Sequence, residues 1–170
     1  MTEPNDERLD RIWAPWRLDY VKAIHQANAE GCIFCITDDT ARDRERHVVV
    51  RRPACFAMLN IFPYNNGHRL VAPRRHVAAL DGLTDDEMTA LMQLVRDCTT
   101  LLQQTLRPQG YNIGLNLGRA AGAGIVEHLH FHVVPRWAGD TNFMPATANT
   151  KVMPQSLDAL WELLHEQAAS

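Results

Sequence analysis

The stretch HLHFHVVPRW, residues 128–137, alternates imidazole and apolar side chains with a period of two until Pro135. In a β-strand successive side chains point to opposite faces, with a rise of roughly 3.3 Å per residue. His128, His130 and His132 are therefore expected to line one face, and Leu129, Phe131 and Val133 the other. The apolar face has to be buried, so the histidine face is expected to look into a cleft. Same-face Cβ atoms sit roughly 6.6 Å apart, too far for all three rings to reach one zinc ion at ~2.0–2.1 Å, so at most one or two can share a metal. A row of imidazoles suits an extended anion such as a polyphosphate chain. One neutral ring can attack phosphorus while charged neighbours hold its oxygens. The preceding GRAAGAG, residues 118–124, is small enough to present backbone N–H groups as an anion nest, although taken alone such a loop reads more readily as a flexible turn.

The rest of the chain supplies the frame for that strand. HVVVRR (47–52), CFAMLNIF (55–62) and HRLVAP (68–73) read as strands broken by Pro53–Ala54 and by the turn-forming PYNNGH. Thr84 and Glu87 form a capping box ahead of Met88, Leu91, Met92, Val95, Cys98, Leu101 and Leu102, which predicts a helix over about 84–106. YNIGLNLG (111–118) is a fourth strand and HLHFHVV (128–134) a fifth. Leu157, Leu160, Trp161 and Leu164 mark one face of a last helix. Trp13, Trp16, Tyr20 and Ile24 suggest a short docking helix, while residues 1–10 are expected to be a disordered tail and 11–170 one domain. The class expected is α+β, an antiparallel sheet of about five strands with one long and one C-terminal helix.

A formal net charge of −3 and a pI near 6.2 offer no bulk basic surface for nucleic acid. The absence of an apolar run near 18 residues, with the polar start MTEPNDERLDR, points to a cytoplasmic protein with no membrane partner. Cys32 and Cys35 form a C-x-x-C, which leaves metal binding, redox chemistry or a pair of reduced thiols open. Metal is favoured over redox because no thioredoxin-like βαβ pattern follows.

HLHFHVVPR resembles the H-x-H-x-H-x-x signature of the histidine-triad (HIT) superfamily of nucleotidyl hydrolases and transferases. The likeness extends to CIFC, FAMLNIFPYNNGHRLVAPRRH, the loop from Asn116 to Gly124, and PRWAGDTNFMP with KVMPQ, together about residues 11–165. WAPWRLDY and the RWAGDTNF…KVMPQ tail are most similar to the bacterial diadenosine tetraphosphate phosphorylase-like branch. The resemblance implies a HIT-like fold completed by homodimerisation. It implies that His130 attacks the α-phosphorus of a nucleotide and carries it covalently to water or inorganic phosphate, while His132 donates to phosphate oxygens. It places Asn60 at the ribose hydroxyls and Asn116, Ala123 and Gly124 at the phosphates. Relatives often carry a hydroxyl where Gly124 stands, so only its N–H is left to serve. In zinc-bearing members the ligands map to Cys32, Cys35, His76 and His128, a closed structural Zn2+ site.

Lesser signals stay open. Arg74 and Arg75 are a phosphate clamp or a solvated pair, Arg136 a phosphate contact or a salt bridge, Trp137 a base-stacking or packing residue. His68 lies near the cleft or is structural; His25, His47 and His165 are not expected to act. The function expected is cleavage of a dinucleoside polyphosphate by hydrolysis or phosphorolysis. A nucleoside phosphoramidase and a non-catalytic nucleotide sensor or scaffold are the alternatives. A nucleotidyl-sugar transferase is disfavoured by His132, where that branch carries Gln.

Overall fold

The computed structural model describes residues 31–36, 38–148 and 150–169. The expected tail, the docking helix with Trp13 and Trp16, and His25 lie outside them. Five strands, β1 (Val48–Arg51), β2 (Cys55–Leu59), β3 (Arg69–Pro73), β4 (Gly110–Leu115) and β5 (Phe131–Arg136), form one antiparallel sheet in the order β1-β2-β3-β5-β4. The helices are α1 (Asp85–Thr105), a short α2 (Met144–Ala148) and α3 (Leu157–Ala169). Among the described residues no helix is long and apolar enough to cross a membrane.

The capping box forms as expected: the Glu87 N–H donates to Thr84 Oγ1 at 3.2 Å, and the Thr84 N–H to Glu87 Oε2 at 2.9 Å. One turn of the expected helical face is corrected. Met92 is exposed, and Leu94 joins Leu91, Val95, Cys98, Leu101 and Leu102 in the core. That stripe packs on Ala57, Leu59, Val71, Phe131 and Val133, with Leu160 and Leu164 of α3 closing the edge. The other face of the sheet carries Phe56, Met58, Leu70 and Ala72 under Phe34 and Ile36. His132 lies opposite Leu70 in β3 and Gly114 in β4, so this second face holds the histidine end of β5.

The turn before β3 requires a glycine. Gly67 has φ +79°, and a Cβ there would meet Leu106 Cδ1 at 2.8 Å and Leu102 Cδ2 at 3.0 Å. This close packing of the PYNNGH turn on the end of α1 fixes where His68 enters the sheet.

Candidate active site and metal centre

The ladder of β5 starts at Phe131, so His128 and His130 precede it rather than lying within it as expected. They are held by a different contact, the Leu129 N–H to Val77 O bond of 2.7 Å. Leu129 thereby enters the core while His128 and His130 take the opposite side, and the expected two-face alternation survives without strand pairing. His128 is fully buried and His130 nearly so, whereas His132 is half-buried. The rings of His130 and His132 lie 5.0 Å apart.

The three rings are distinguished by their partners. A carbonyl oxygen only accepts, so His130 Nδ1, 2.8 Å from His128 O, carries the hydrogen and leaves the lone pair on Nε2. His128 Nε2 is 2.8 Å from Pro73 O, which puts its hydrogen there and its lone pair on Nδ1. For His132 the argument runs through His68. The Tyr64 N–H donates to His68 Nδ1 at 3.0 Å, so His68 carries its hydrogen on Nε2, and that nitrogen lies 3.0 Å from His132 Nδ1. His132 therefore accepts at Nδ1 and bears a hydrogen on Nε2. Burial is the main cause that pulls His130 below its ordinary value, His132 to about 4 and His68 to about 3. Where charged neighbours are expected, burial works against a second proton on these rings, and their contacts make each a donor at one nitrogen and an acceptor at the other.

Cys32 and Cys35 sit on one turn, closed by a Cys35 N–H to Cys32 O bond of 3.1 Å. Cys32 Sγ lies 3.3 Å from His128 Nδ1, and Cys35 Sγ 3.3 Å from His76 Nδ1 and 3.9 Å from His128 Nδ1. All four donor atoms fall within 4.8 Å of one another, so Cys32, Cys35, His76 and His128 could hold a metal ion. A tetrahedral ion with bonds of ~2.0–2.3 Å needs ligand separations of roughly 3.3–3.8 Å, which the two 3.3 Å Cys–His pairs meet and the wider pairs exceed by up to about 1 Å. The lone pair of His128 faces the sulfurs because Pro73 O takes its other nitrogen. Burial and the neighbouring Cys32 push the Cys35 thiol up, a pressure that a cation would reverse.

The expected substrate contacts are only partly assembled. Asn116 follows the end of β4, and the loop beyond it turns at Gly118 and again at Gly122, φ +87° in the left-handed region. The Ala123 N–H donates to Gly118 O at 3.2 Å, so that donor is engaged, whereas the Gly124 N–H has no partner among the described residues. Asn60 is buried; its Oδ1 accepts from the Phe62 N–H at 3.0 Å and its Nδ2 lies 3.3 Å from His68 Nδ1. Arg74 pairs with Asp38 and Arg75 with Glu87, where a phosphate clamp or a solvated pair is expected, and Arg136 pairs with Asp140 at 2.6 Å, the salt bridge of its two alternatives. Trp137 is half-buried in a cavity wall beside Leu106 and Val152. His47 pairs with Asp158, and His165 stacks on Trp161, both away from the triad.

Three groups were not readable as site residues. Phe34, between the two cysteines, packs its ring 4.8 Å from His130 and 5.3 Å from His128. Its position inside C-x-x-C was the available signal. His68, for which the sequence allows a place near the cleft or a structural one, is the partner of His132. Tyr64 stacks on His132 with ring centroids 5.7 Å apart and an interplanar angle of 16°.

The tail after β5 wraps back over the turn that carries Tyr64. Asp140 accepts from Asn65 Nδ2 at 2.8 Å, Gln155 Oε1 from Asn66 Nδ2 at 2.9 Å, and the Lys151 ammonium donates to Tyr64 O.

A metal-type cage anchored on the buried His128, beside an imidazole row on an open antiparallel sheet, defines a histidine-triad site, and comparison with known proteins agrees. A crystal structure of a zinc-bound histidine triad family protein from Mycobacterium smegmatis aligns with a TM-score of 0.63 at 23% identity, covering 83% of this chain and 95% of that one. The HIT domain model matches residues 41–139, and the chain belongs to the HIT family. It is 40% identical over 156 residues to the AP-4-A phosphorylase of Mycobacterium tuberculosis, covering 89% of this chain and 80% of that protein. It is 31% identical over 132 residues to the adenosine 5'-monophosphoramidase hnt1 of Schizosaccharomyces pombe, covering 78% of this chain and 94% of that one.

Proposed function

We propose that this nucleotide-processing HIT enzyme cleaves dinucleoside polyphosphates of the diadenosine tetraphosphate type through a nucleotide carried on His130. The observation that carries the reading is the bond from His130 Nδ1 to His128 O, which leaves Nε2 unprotonated and nucleophilic. Attack by Nε2 on the α-phosphorus forms a P–N bond, breaks the bridging P–O bond, and sends that electron pair to the departing nucleoside polyphosphate. An oxygen of water or inorganic phosphate then attacks the same phosphorus and returns the P–N electron pair to Nε2. The Nε2–H of His132 donates to the oxygens on which charge develops, as does the Gly124 N–H, with Asn116 beside them. Asn60 orders the 60–68 turn, and its remaining amide hydrogen is offered to the ribose.

The likeness to the M. tuberculosis phosphorylase supports inorganic phosphate as the acceptor. The likeness to the S. pombe phosphoramidase supports a second reading, in which the bond broken is P–N and the leaving group an amine; the covalent step is the same in both. Incubation with diadenosine tetraphosphate with and without inorganic phosphate separates the outcomes. ADP with ATP appearing only with phosphate is the result expected, AMP with ATP marks hydrolysis, and no cleavage contradicts the proposal. A chain that only senses nucleotide would bind without turning over.

Zinc is the metal suited to two thiolates and two imidazoles in a closed tetrahedron. Bound there it would tie the Cys32–Cys35 turn, His76 and His128 together, and Cys32, Cys35, His76 and His128 would be its four ligands. Homodimerisation fits β4, an edge strand with Ile113 46% exposed. A cytoplasmic location fits four free cysteines.

A further inference from the structure

The imidazoles of the triad each have one ring nitrogen committed within the chain, to Pro73 O, His128 O and His68, whereas a dinucleoside polyphosphate brings several negative charges and its cleavage creates another. The arginines near the site are already matched: Arg136 by Asp140, Arg74 by Asp38, Arg75 by Glu87, and Arg119 in the loop also has a partner within the chain. Lys151 differs. Its ammonium donates to a carbonyl, Tyr64 O, and the acid that faces it, Asp140, is already held by Arg136, by Asn65 Nδ2 and by the Trp137 N–H. The carbonyl takes one of three N–H donors and none of the charge.

The position is equally specific. Tyr64 stacks its ring on His132 and packs at a tilt against His68, with centroids 5.7 and 4.6 Å away, and its N–H fixes the His68 tautomer. The Lys151 ammonium sits on the carbonyl of that same residue, one side chain removed from the ring that meets the phosphates. Its charge is also near enough to His68 to disfavour a proton on that ring.

Resting on the reading of His130 as nucleophile, we propose that Lys151 binds the phosphate chain beyond the α-phosphorus. In the first step it meets the departing nucleoside polyphosphate. In the second, inorganic phosphate enters from the side the leaving group vacated, so the same ammonium receives the acceptor. Lys151 alone of that tail thereby joins the substrate site, and it biases the covalent nucleotide toward phosphate over water.

The test compares Lys151→Met, Lys151→Arg and Gln155→Ala, using diadenosine tetraphosphate and inorganic phosphate as probes. Gln155 pins the same tail to the same turn through Asn66 and carries no charge, so it reports a purely structural role. Lys151→Met is expected to raise the KM for phosphate about tenfold or more and to shift products from ADP toward AMP, with Lys151→Arg within about threefold of the parent. Gln155→Ala is expected to keep the parent's phosphate KM and product ratio. Equal phosphate KM in Lys151→Met and the parent, or the same profile in Lys151→Met and Gln155→Ala, overturns the assignment of Lys151 while leaving His130 intact. A parent protein that does not cleave the tetraphosphate overturns the nucleophile reading and this inference with it. A parent that makes AMP and ATP whatever the phosphate concentration overturns the acceptor role.

Discussion

On the helix side of the sheet, Ala57, Leu59, Val71 and Val133 meet Leu91, Leu94 and Leu102 through apolar contact alone. On the opposite side, imidazoles are fixed one by one: His128 on Pro73 O, His130 on His128 O, His132 on His68 and His68 on the Tyr64 N–H. The helix side tolerates exchange of one apolar side chain for another of similar volume. The histidine side does not, because each ring's protonation is set by one particular neighbour. The contrast teaches that three chemically identical residues at even spacing are given different hydrogen-bonding states by their neighbours, two by backbone carbonyls and one by a side chain, not by their own chemistry.

The contrast is broken most severely at His130. Exchange for Ala removes the nucleophile, and turnover is expected to fall on the order of 10⁴-fold or more while nucleotide binding persists. Steady-state kinetics alongside equilibrium nucleotide binding checks this; unchanged turnover would contradict the proposal. The Cys32–Cys35 end follows. Cys32→Ser is expected to reduce bound zinc, measured by metal analysis, from about one per chain to near none. Loss of a closed structural site is expected to lower the thermal midpoint by about 10 °C, at roughly 2–4 °C per kcal/mol for a chain of this size. A protein purified without zinc, and unmoved by a chelator, would remove the four-ligand proposal.

His68→Leu tests the relay without touching the nucleophile. It leaves the Tyr64 N–H unsatisfied and frees His132 to change tautomer, so kcat is expected to drop about 30-fold and stability by about 2 kcal/mol. The same pair sets a pH dependence. Its folded values, about 3 for His68 and about 4 for His132, lie below the ordinary 6.5. Between 6.5 and those values the unfolded chain binds protons that the folded chain refuses, so stability is full above pH 6.5 and falls as pH falls. Urea midpoints are expected to be level from pH 7 to 8 and to decline toward pH 4, with a shallower decline in His68→Leu.

The smallest effect is expected on the helix side, and with the opposite sign. Arg69 is fully buried there, its Nη1 is 3.5 Å from Cys98 O, and its Nε and Nη2 have no partner among the described residues. Burial pulls its pKa down. Arg69→Met keeps the volume and removes an uncompensated charge, so stability is expected to rise by about 1 kcal/mol in urea unfolding.

Much of this was legible in the chain because it rests on local pattern. The capping box at Thr84 and Glu87, the alternation of Leu129, Phe131 and Val133, and the apolar stripe of α3 each follow from spacing between near neighbours. The four-cysteine-and-histidine cage was legible only through resemblance, since its members come from three separate segments. The His68–His132 contact joins residues 64 apart in sequence, and nothing in GHRLVAP distinguishes a structural histidine from a relay. Arg69 could not be anticipated either. Its place in β3 reads as a strand position, and only the register opposite Leu59 and Val133 turns it inward. Lys151 was hidden for the same reason: the wrap of the tail onto Tyr64 is a tertiary contact across 87 residues.

The central claim is that the lone pair on His130 Nε2 carries the nucleotide. Mixing the protein with diadenosine tetraphosphate in the absence of inorganic phosphate, quenching in base to preserve a P–N bond, and mapping the adduct by peptide mass spectrometry tests it most directly. Adenylyl on His130, lost when phosphate is added before the quench and absent in His130→Ala, is the result predicted. Product formation with no adduct, or an adduct on His128 or His132 instead, would contradict it.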